Sequence, residues 1–234
     1  MKTVTQLGPG RPRLEPRRRA GQTPRAEILD AAAELFTGHG YGNTSTRAVA
    51  DAVGIRQASL YHHFASKDDI LDALLGETVS APLELAGKLA GRAEPAAVRL
   101  YALAWFDVSQ LCASRWNLGA LYLLPELRSD RFARFRERRD ELRGHYETLS
   151  AAVIAEAGAA AGSPAGSAVP GAELLPFRLV ESVIDMRSDE GAAPEYAEQL
   201  IPDAILRLLC WTGSLAETRS AALELAAQFP AEQE

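Results

Sequence analysis

From Pro24 onward, apolar residues recur at helical spacing. Ile28, Leu29, Ala32, Leu35 and Phe36 follow i, i+1, i+4, i+7, i+8 and make one apolar helix face. Thr23 is placed as an N-cap, Pro24 suits the first helical position, and Glu27 falls in the first turn. Gly38 and Gly40 end that helix. Thr44, Ser45 and Thr46 offer caps for a short second helix, with Val49, Ala50 and Val53 facing inward and Gly54 breaking the chain. Ile55 opens a third segment, Gln57 to Phe64. A fourth helix begins at Ser66, with Asp69 three residues later as in a capping box. It buries Ile70, Leu71, Leu74 and Leu75 and runs to about Val79.

The pattern stays helical to the end. It predicts helices from Pro95 to Cys112, Asp130 to Ala157, Glu173 to Asp189 and Pro194 to Trp211. A capping box from Ser214 to Glu217 opens a last helix ending near Phe229. Residues 158–171 are almost all Gly, Ala, Ser and Pro and are expected to be a flexible loop. No alternating β-branched run is flanked by turn signals, so strands are not expected. The fold class is all-α.

Composition narrows this. The chain has 234 residues, enough for one sizeable domain or two small ones. With 47% hydrophobic and 24% charged residues it is expected to fold rather than stay disordered. No run approaches the roughly 18 apolar residues of a membrane span. Met1 to Arg19 is basic and Pro-rich without an apolar segment, so it does not read as a secretory signal. Cys112 and Cys210 are too few for a disulfide scaffold or a Cys-rich zinc site, which fits a reducing cytoplasm.

Charge is unevenly spread. Residues 1–70 hold 10 Lys+Arg against 7 Asp+Glu; the whole chain's 25 and 31 leave 15 and 24 beyond them. Seven of the basic residues, from Lys2 to Arg25, lie in the first 25 positions. The segment 1–22, with Gly8-Pro9-Gly10, Pro12 and Pro16, is expected to be a disordered basic arm. A basic arm and head ahead of an acidic body suggests that one end meets a polyanion, the alternative being a solvated tail.

The stretch TRAVADAVGIRQASLYHHFASK, Thr46 to Lys67, carries the chemistry. Two short helices meet at Gly54, and Val49, Val53, Ile55 and Leu60 pack the corner, as in a helix-turn-helix. The second of them presents Arg56, Gln57, Ala58, Ser59, Tyr61, His62 and His63 on its outer and N-terminal face. Short or hydrogen-bonding side chains of this kind suit base edges and phosphates. Leu60 and Phe64 belong to the core. Adjacent histidines on a helix point about 100° apart, and no third ligand lies nearby, so no metal is expected.

Residues 24–75 resemble the DNA-binding domain of the TetR family of transcriptional regulators. The resemblance rests on ILDAAAELFTGHGYGNTSTRAVADAVGI followed by QASLYHHFASKDDIL, with Gly40-Tyr41, the Thr-x-x-x-Val-Ala run and the Leu-Tyr-x-His-Phe-x-x-Lys block in the family's spacing. It implies a disordered arm over 1–22, a three-helix DNA-binding domain over 23–68 and a helical ligand-binding and dimerisation domain over 69–229. Thr46 and Arg47 match positions that contact DNA. Thr44 and Ser45 are phosphate ligands or caps. Arg56, Gln57 and Ser59 stand at the recognition-helix entrance, where Gln57 suits adenine and Arg56 suits guanine or phosphate; Ala58 offers a methyl. Tyr61 and His62 match contacts to phosphate or thymine methyls, His63 the family's usual histidine, and Lys67 its phosphate-binding lysine at a helix N-terminus. The arm either reaches a minor groove or acts as a non-specific tether.

The same resemblance implies a homodimer through helices near 173–189 and 194–211, with Leu175, Leu179, Val183, Met186, Ile201, Ile205, Leu208 and Leu209 as seam or ordinary core. It also implies an inducer cavity among the middle helices. Trp105, Phe106, Cys112, Trp116, Tyr122 and Phe177 are its candidate walls or plain core, and Asp107, Gln110, Arg115, Asn117, Arg178 and Glu181 its candidate polar anchors. The expected function is a palindrome-binding homodimeric repressor relieved by a small molecule, with an activator or a thiol-responsive regulator as alternatives. No Gly-rich phosphate loop, G-x-S-x-G elbow or His-Glu-x-x-His stands in the sequence, so neither an enzyme nor a cofactor is expected.

Overall fold

The computed structural model describes residues 23–160, 168–190 and 195–229. The basic arm, and residues 161–167 of the Gly/Ala-rich loop, lie outside the described residues, while 158–160 belong to a helix rather than to the loop. All regular structure among the described residues is helical. The chain divides into two compact units, Met1–Lys67 and Asp68–Glu234.

The first unit holds three helices. In α1, Pro24–Gly38, the Thr23 hydroxyl accepts the Ala26 amide at 3.2 Å, and Ile28, Ala32 and Phe36 are buried. Phe36 meets Tyr41 edge to face, with ring centroids 5.0 Å apart. The loop then turns at Gly40, whose φ of 87° lies where a side chain is unfavourable. In α2, Thr46–Val53, the N-cap is Ser45, which accepts from the Ala48 amide at 3.1 Å. Its end is Gly54 at φ 76°, which lets the Ile55 amide return to the Ala50 carbonyl. In α3, Gln57–Tyr61, the helix proper is shorter than the periodicity predicts. His62 and His63 form a turn instead, and the Leu60 carbonyl accepts from both the His63 and Phe64 amides. Leu60 and Phe64 are buried, and the Arg25 guanidinium lies 5.0 Å from the Phe64 ring centroid.

From the last residue of the first unit, α4, Lys67–Ala90, continues as the first helix of the second and runs well past Val79. Its buried stripe continues through Pro82, Leu85, Ala86 and Leu89, and that burial outweighs the proline's missing amide. At the centre lies α5, Ala96–Ala113, which buries Leu100, Tyr101, Leu103, Ala104 and Val108. Three 3₁₀ turns occupy Leu118–Leu123, Pro125–Arg128 and Asp130–Phe132, so α6 begins at Ala133 and runs to Ala160. After a short 3₁₀ turn come α7, Pro176–Glu190, α8, Ala197–Leu208, and α9, Leu215–Ala226. α5 packs against α6, α7, α8 and α9. The end of α8 is closed by the Trp211 amide on the Leu206 carbonyl and the Cys210 amide on the Arg207 carbonyl, a Schellman arrangement with Cys210 at φ 59°.

Candidate functional site

In the first unit the start of α2 and the length of α3 share a polar cluster. Gln57 Nε2 donates to Thr46 Oγ1 at 3.0 Å and lies 3.4 Å from the Tyr61 hydroxyl, itself 3.1 Å from Thr46 Oγ1. Tyr61 is 47% exposed although it is a large aromatic. Arg47, Arg56, Ala58, Ser59, His62 and His63 are exposed around it. Arg47 pairs with Asp51 at 3.9 Å between two exposed side chains, which is a weak hold. Arg56 is the N-cap residue of α3 and makes no side-chain cap bond. The surface therefore offers two arginines, three hydroxyls, a carboxamide and two imidazoles along one short helix and the entrance of another. That mixture can bond phosphates and base edges at once.

Thr44 and Lys67 sit differently. Thr44 is buried, and its hydroxyl lies 3.2 Å from the Leu35 carbonyl and 3.0 Å from that of Gly40, so it holds the α1–α2 loop from inside. Lys67 Nζ donates to the carbonyls of Tyr41 at 2.8 Å and Thr44 at 3.0 Å, and lies 4.1 Å from the Tyr41 ring centroid. An ammonium has three donors. Two of them clamp residues 41–44, so Lys67 shapes the loop ahead of α2.

The second unit contains a cleft of about 1000 Å³. Trp105, Phe106, Trp116 and Gln110 line it; Cys112, Tyr122 and Phe177 do not. Tyr122 and Phe177 line a separate cavity of about 10 Å³ together with Asp107 and Glu181. There the Tyr122 hydroxyl donates to Thr78 Oγ1 at 2.7 Å, and Tyr146 donates to Asp107 Oδ2 at 3.0 Å. Burial pushes the Asp107 carboxyl up to about 7, with the Tyr146 hydrogen bond opposing and the Glu181 charge reinforcing the rise. Burial likewise raises the Tyr122 and Tyr146 phenols. Glu181 is held by Arg139, at 3.0 Å from Nε, and by Arg178 at 3.1 Å. Asn117 donates to the Ile184 carbonyl and Ser188 Oγ, both at 2.9 Å, and so ties the 3₁₀ segment to α7. The Arg115 guanidinium stacks on Trp116 at 4.5 Å. Cys112 is half-buried, and burial pushes its thiol up, which leaves little thiolate for reaction with oxidants.

The cleft also takes in residues that sequence reasoning missed: Ser109 on α5, Arg187 on α7 and Phe229 after α9. Ser109 was within reach, since Trp105, Phe106, Ser109, Gln110 and Ala113 follow i, i+1, i+4, i+5, i+8 on one face. Arg187 and Phe229 carry no such signal, because they arrive from other helices. On α7 and α8 the eight candidate seam residues divide. Val183, Ile201, Ile205 and Leu209 are buried in the protomer, whereas Leu175 is 46% exposed and Leu179, Met186 and Leu208 are half-buried. Leu200 and Tyr196 add 46% and 62% exposure to the same pair of helices. Among the described residues no three potential metal ligands cluster, and no helix is long and apolar enough to cross a membrane.

Comparison with known proteins bears on both units. The model of bacterial regulatory proteins of the tetR family matches residues 28–74. The HTH-type transcriptional repressor KstR2 of Mycobacterium tuberculosis is 48% identical over 58 residues, 24% of this chain and 29% of the relative. KstR2 of Rhodococcus jostii is 51% identical over 51 residues, 22% of this chain and 25% of the relative. The chain thus matches less than a third of the length of these curated repressors. The crystal structure of Mycobacterium smegmatis AmtR is similar throughout, at 61% identity and a TM-score of 0.83, covering 89% of this chain and 97% of that one.

Proposed function

The chain belongs to the TetR family of bacterial transcriptional regulators, and on that premise we propose that it is a homodimeric repressor of a palindromic operator, released by a small molecule in the cleft of its second unit. The observation that carries the DNA-binding part is the Thr46–Gln57–Tyr61 cluster, with Tyr61 exposed and Thr46 and Gln57 half-buried, flanked by the exposed Arg47 and Arg56. In this reading residues 23–68 are the DNA-binding head and 69–229 the regulatory body. Arg47, Thr46, Tyr61, His62 and His63 meet the backbone and groove edges. Arg56, Gln57, Ala58 and Ser59 face bases. A carboxamide that pairs with adenine uses both its N–H and its oxygen. Gln57 therefore exchanges its bond to Thr46 for one to the base. Thr44 and Lys67 act one step back, by fixing the loop from which α2 starts.

The dimer is supported by what α7 and α8 leave uncovered. Leu175 just ahead of α7 and Leu200 in α8 are exposed, as is Tyr196 at the N-cap of α8, and Leu179, Met186 and Leu208 on the same pair of helices are half-buried. An apolar stripe of this size seeks a partner, and a two-fold axis supplies the identical stripe. Two heads one helical turn of DNA apart, about 34–36 Å, read two half-sites on one face. Release follows if the ligand binds the non-operator spacing of the heads more tightly than the operator spacing.

Selection of bound sequences from a random DNA pool at near-physiological salt tests this reading. A motif of two inverted half-sites is expected. A single unpaired half-site overturns the dimer, and recovery of no motif by folded protein overturns sequence reading by α3.

A further inference from the structure

Among the described residues, the lining of the cleft includes one cationic side chain, Arg187 on α7. Its guanidinium reaches the end of α5, where it donates to the Leu111 carbonyl and to that of Ser114 at 2.5 Å. Leu111 and Ser114 line the cleft as well, and Arg187 and Ser114 are half-buried rather than sealed. The guanidinium therefore stands at the cleft wall with part of its surface open. A guanidinium has five N–H donors, and two carbonyl bonds leave three of them for another partner.

Its charge is only partly offset. The two carbonyls lie at the C-terminal end of α5, where the helix dipole supplies roughly half a negative charge. No carboxylate pairs with Arg187 among the described residues. Glu77, the acidic residue on the lining, is exposed on α4 and is not among the groups that act on Arg187. Burial lowers the proton affinity of Arg187, and Cys112 is the group that opposes the change. The other arginine held between two helices of this unit, Arg139, meets the carboxylate of Glu181. Arg187 has carbonyl dipoles in that place. A cation drawn partly out of water gains from a full negative charge set against its free donors.

The surrounding wall suits an apolar body. Trp105 and Phe106 on α5, Trp116 in the turn that follows and Phe229 after α9 line the cleft and are each half-buried. At about 1000 Å³ the cleft has room for a molecule much larger than a free anion.

We infer that the cleft takes a carboxylate with an apolar body, its anionic head against the Arg187 guanidinium and its body among Trp105, Phe106, Trp116 and Phe229. This inference rests on the reading of the cleft as the regulatory site, and it names the ligand's chemical class.

Three probes of one shape test it: 1-naphthaleneacetate, the anion, and its neutral counterparts 1-naphthaleneacetamide and methyl 1-naphthaleneacetate. Calorimetric titration of the full chain should show saturable binding of the anion, about tenfold tighter than either neutral probe, tenfold corresponding to about 1.4 kcal/mol. Arg187→Gln keeps an N–H donor for one of the two carbonyls and removes the charge. It should abolish the anion's advantage while leaving the affinity of the neutral probes in place. Arg187→Lys keeps the charge without the planar fork, should retain part of the advantage, and serves where Arg187→Gln does not fold. A neutral probe bound as tightly as the anion, no binding of the anion, or an anion preference that neither variant lowers overturns the inference. The last of these would place the anion elsewhere on the chain. Affinity for the selected operator is read in the same samples. A protein that prefers the anion through Arg187 yet holds DNA equally with and without it keeps the ligand class and removes ligand-relieved repression.

Discussion

Asp107 is buried beside a cavity with room for about one water, and its nearest donor is the Tyr146 hydroxyl at 3.0 Å. The charged groups nearby, Glu181 with Arg139 and Arg178, are already paired with one another. The carboxyl of Asp107 is consequently pushed from its ordinary 3.8 up to about 7. The folded state therefore holds this proton more tightly than the unfolded state does. Stability from this group is complete below about pH 4 and is lost as pH rises through 7. Each factor of ten in proton affinity is worth about 1.4 kcal/mol, so the full loss is about 4 kcal/mol, of which roughly 2–3 kcal/mol falls between pH 5 and pH 8. Asp107→Asn keeps an oxygen for Tyr146 and has no proton to lose, so it should remove that part of the slope. All three tryptophans, Trp105, Trp116 and Trp211, lie in the second unit, so their fluorescence during urea unfolding reads that unit alone. Wild type and Asp107→Asn are compared at pH 5 and pH 8, at one protein concentration so that any self-association stays constant. The wild type should lose roughly 2–3 kcal/mol more than the variant over that interval. Equal losses to within about 0.5 kcal/mol would refute the claim that burial keeps Asp107 protonated, since every other titrating group is common to both proteins.

Other positions give shorter tests. Gln57→Ala should change base preference at one or two positions of each half-site; a uniform loss across a randomised operator library would take base reading away from Gln57. Lys67→Met removes two charge-assisted bonds to backbone carbonyls, worth about 1.5–3 kcal/mol each where buried and less at this partly exposed site. It should raise hydrogen exchange over residues 41–46 and weaken binding to all DNA sequences alike. Unchanged exchange with only a shallower salt dependence would make Lys67 a plain phosphate ligand. Cys210→Gly relieves a left-handed backbone at the end of α8 and should stabilise the second unit by about 0.5–1 kcal/mol in the same urea assay, after allowance for glycine's larger unfolded-state freedom. A destabilised variant would mean that the Cys210 side chain contributes more through packing than its backbone costs.

Local chemistry was legible in the sequence, and meeting points between distant segments were not. Thr23, Gly54 and Ser214 act through backbone groups a few residues away, and the helix starts and stops they mark agree with the structure. The all-helical class follows from the same short-range periodicity. The extent of α4 was not legible, because Pro82 is a local stop signal that long-range burial of Leu85, Ala86 and Leu89 overrides. The 3₁₀ turns over 118–132 carry no periodic signature of their own. In the second unit, aromatic residues alone did not locate the cleft. Trp105, Phe106 and Trp116 line it, but Tyr122 and Phe177 surround Asp107 instead, and the assignment depends on which helices α5 packs between.

The same distinction separates two kinds of polar residue in the DNA-binding head. Thr46 bonds to Gln57 and Tyr61 across 11 and 15 positions, and all three keep some exposure to solvent, so each bond is one that DNA can replace at small cost. Thr44 and Lys67 bond to backbone carbonyls of the α1–α2 loop, and Thr44 is buried. The Leu35 and Tyr41 carbonyls also accept the His39 and Thr44 amides, but turning Thr44 or Lys67 toward a phosphate would give up the side-chain bonds that hold residues 41–44 in place. Both kinds of residue are polar, close in sequence and matched to a DNA-binding family pattern, yet only the first can change partners freely. Mutating the first kind should alter which sequences are bound. Mutating the second should alter how firmly the head is built, and DNA affinity then falls without a change of preference.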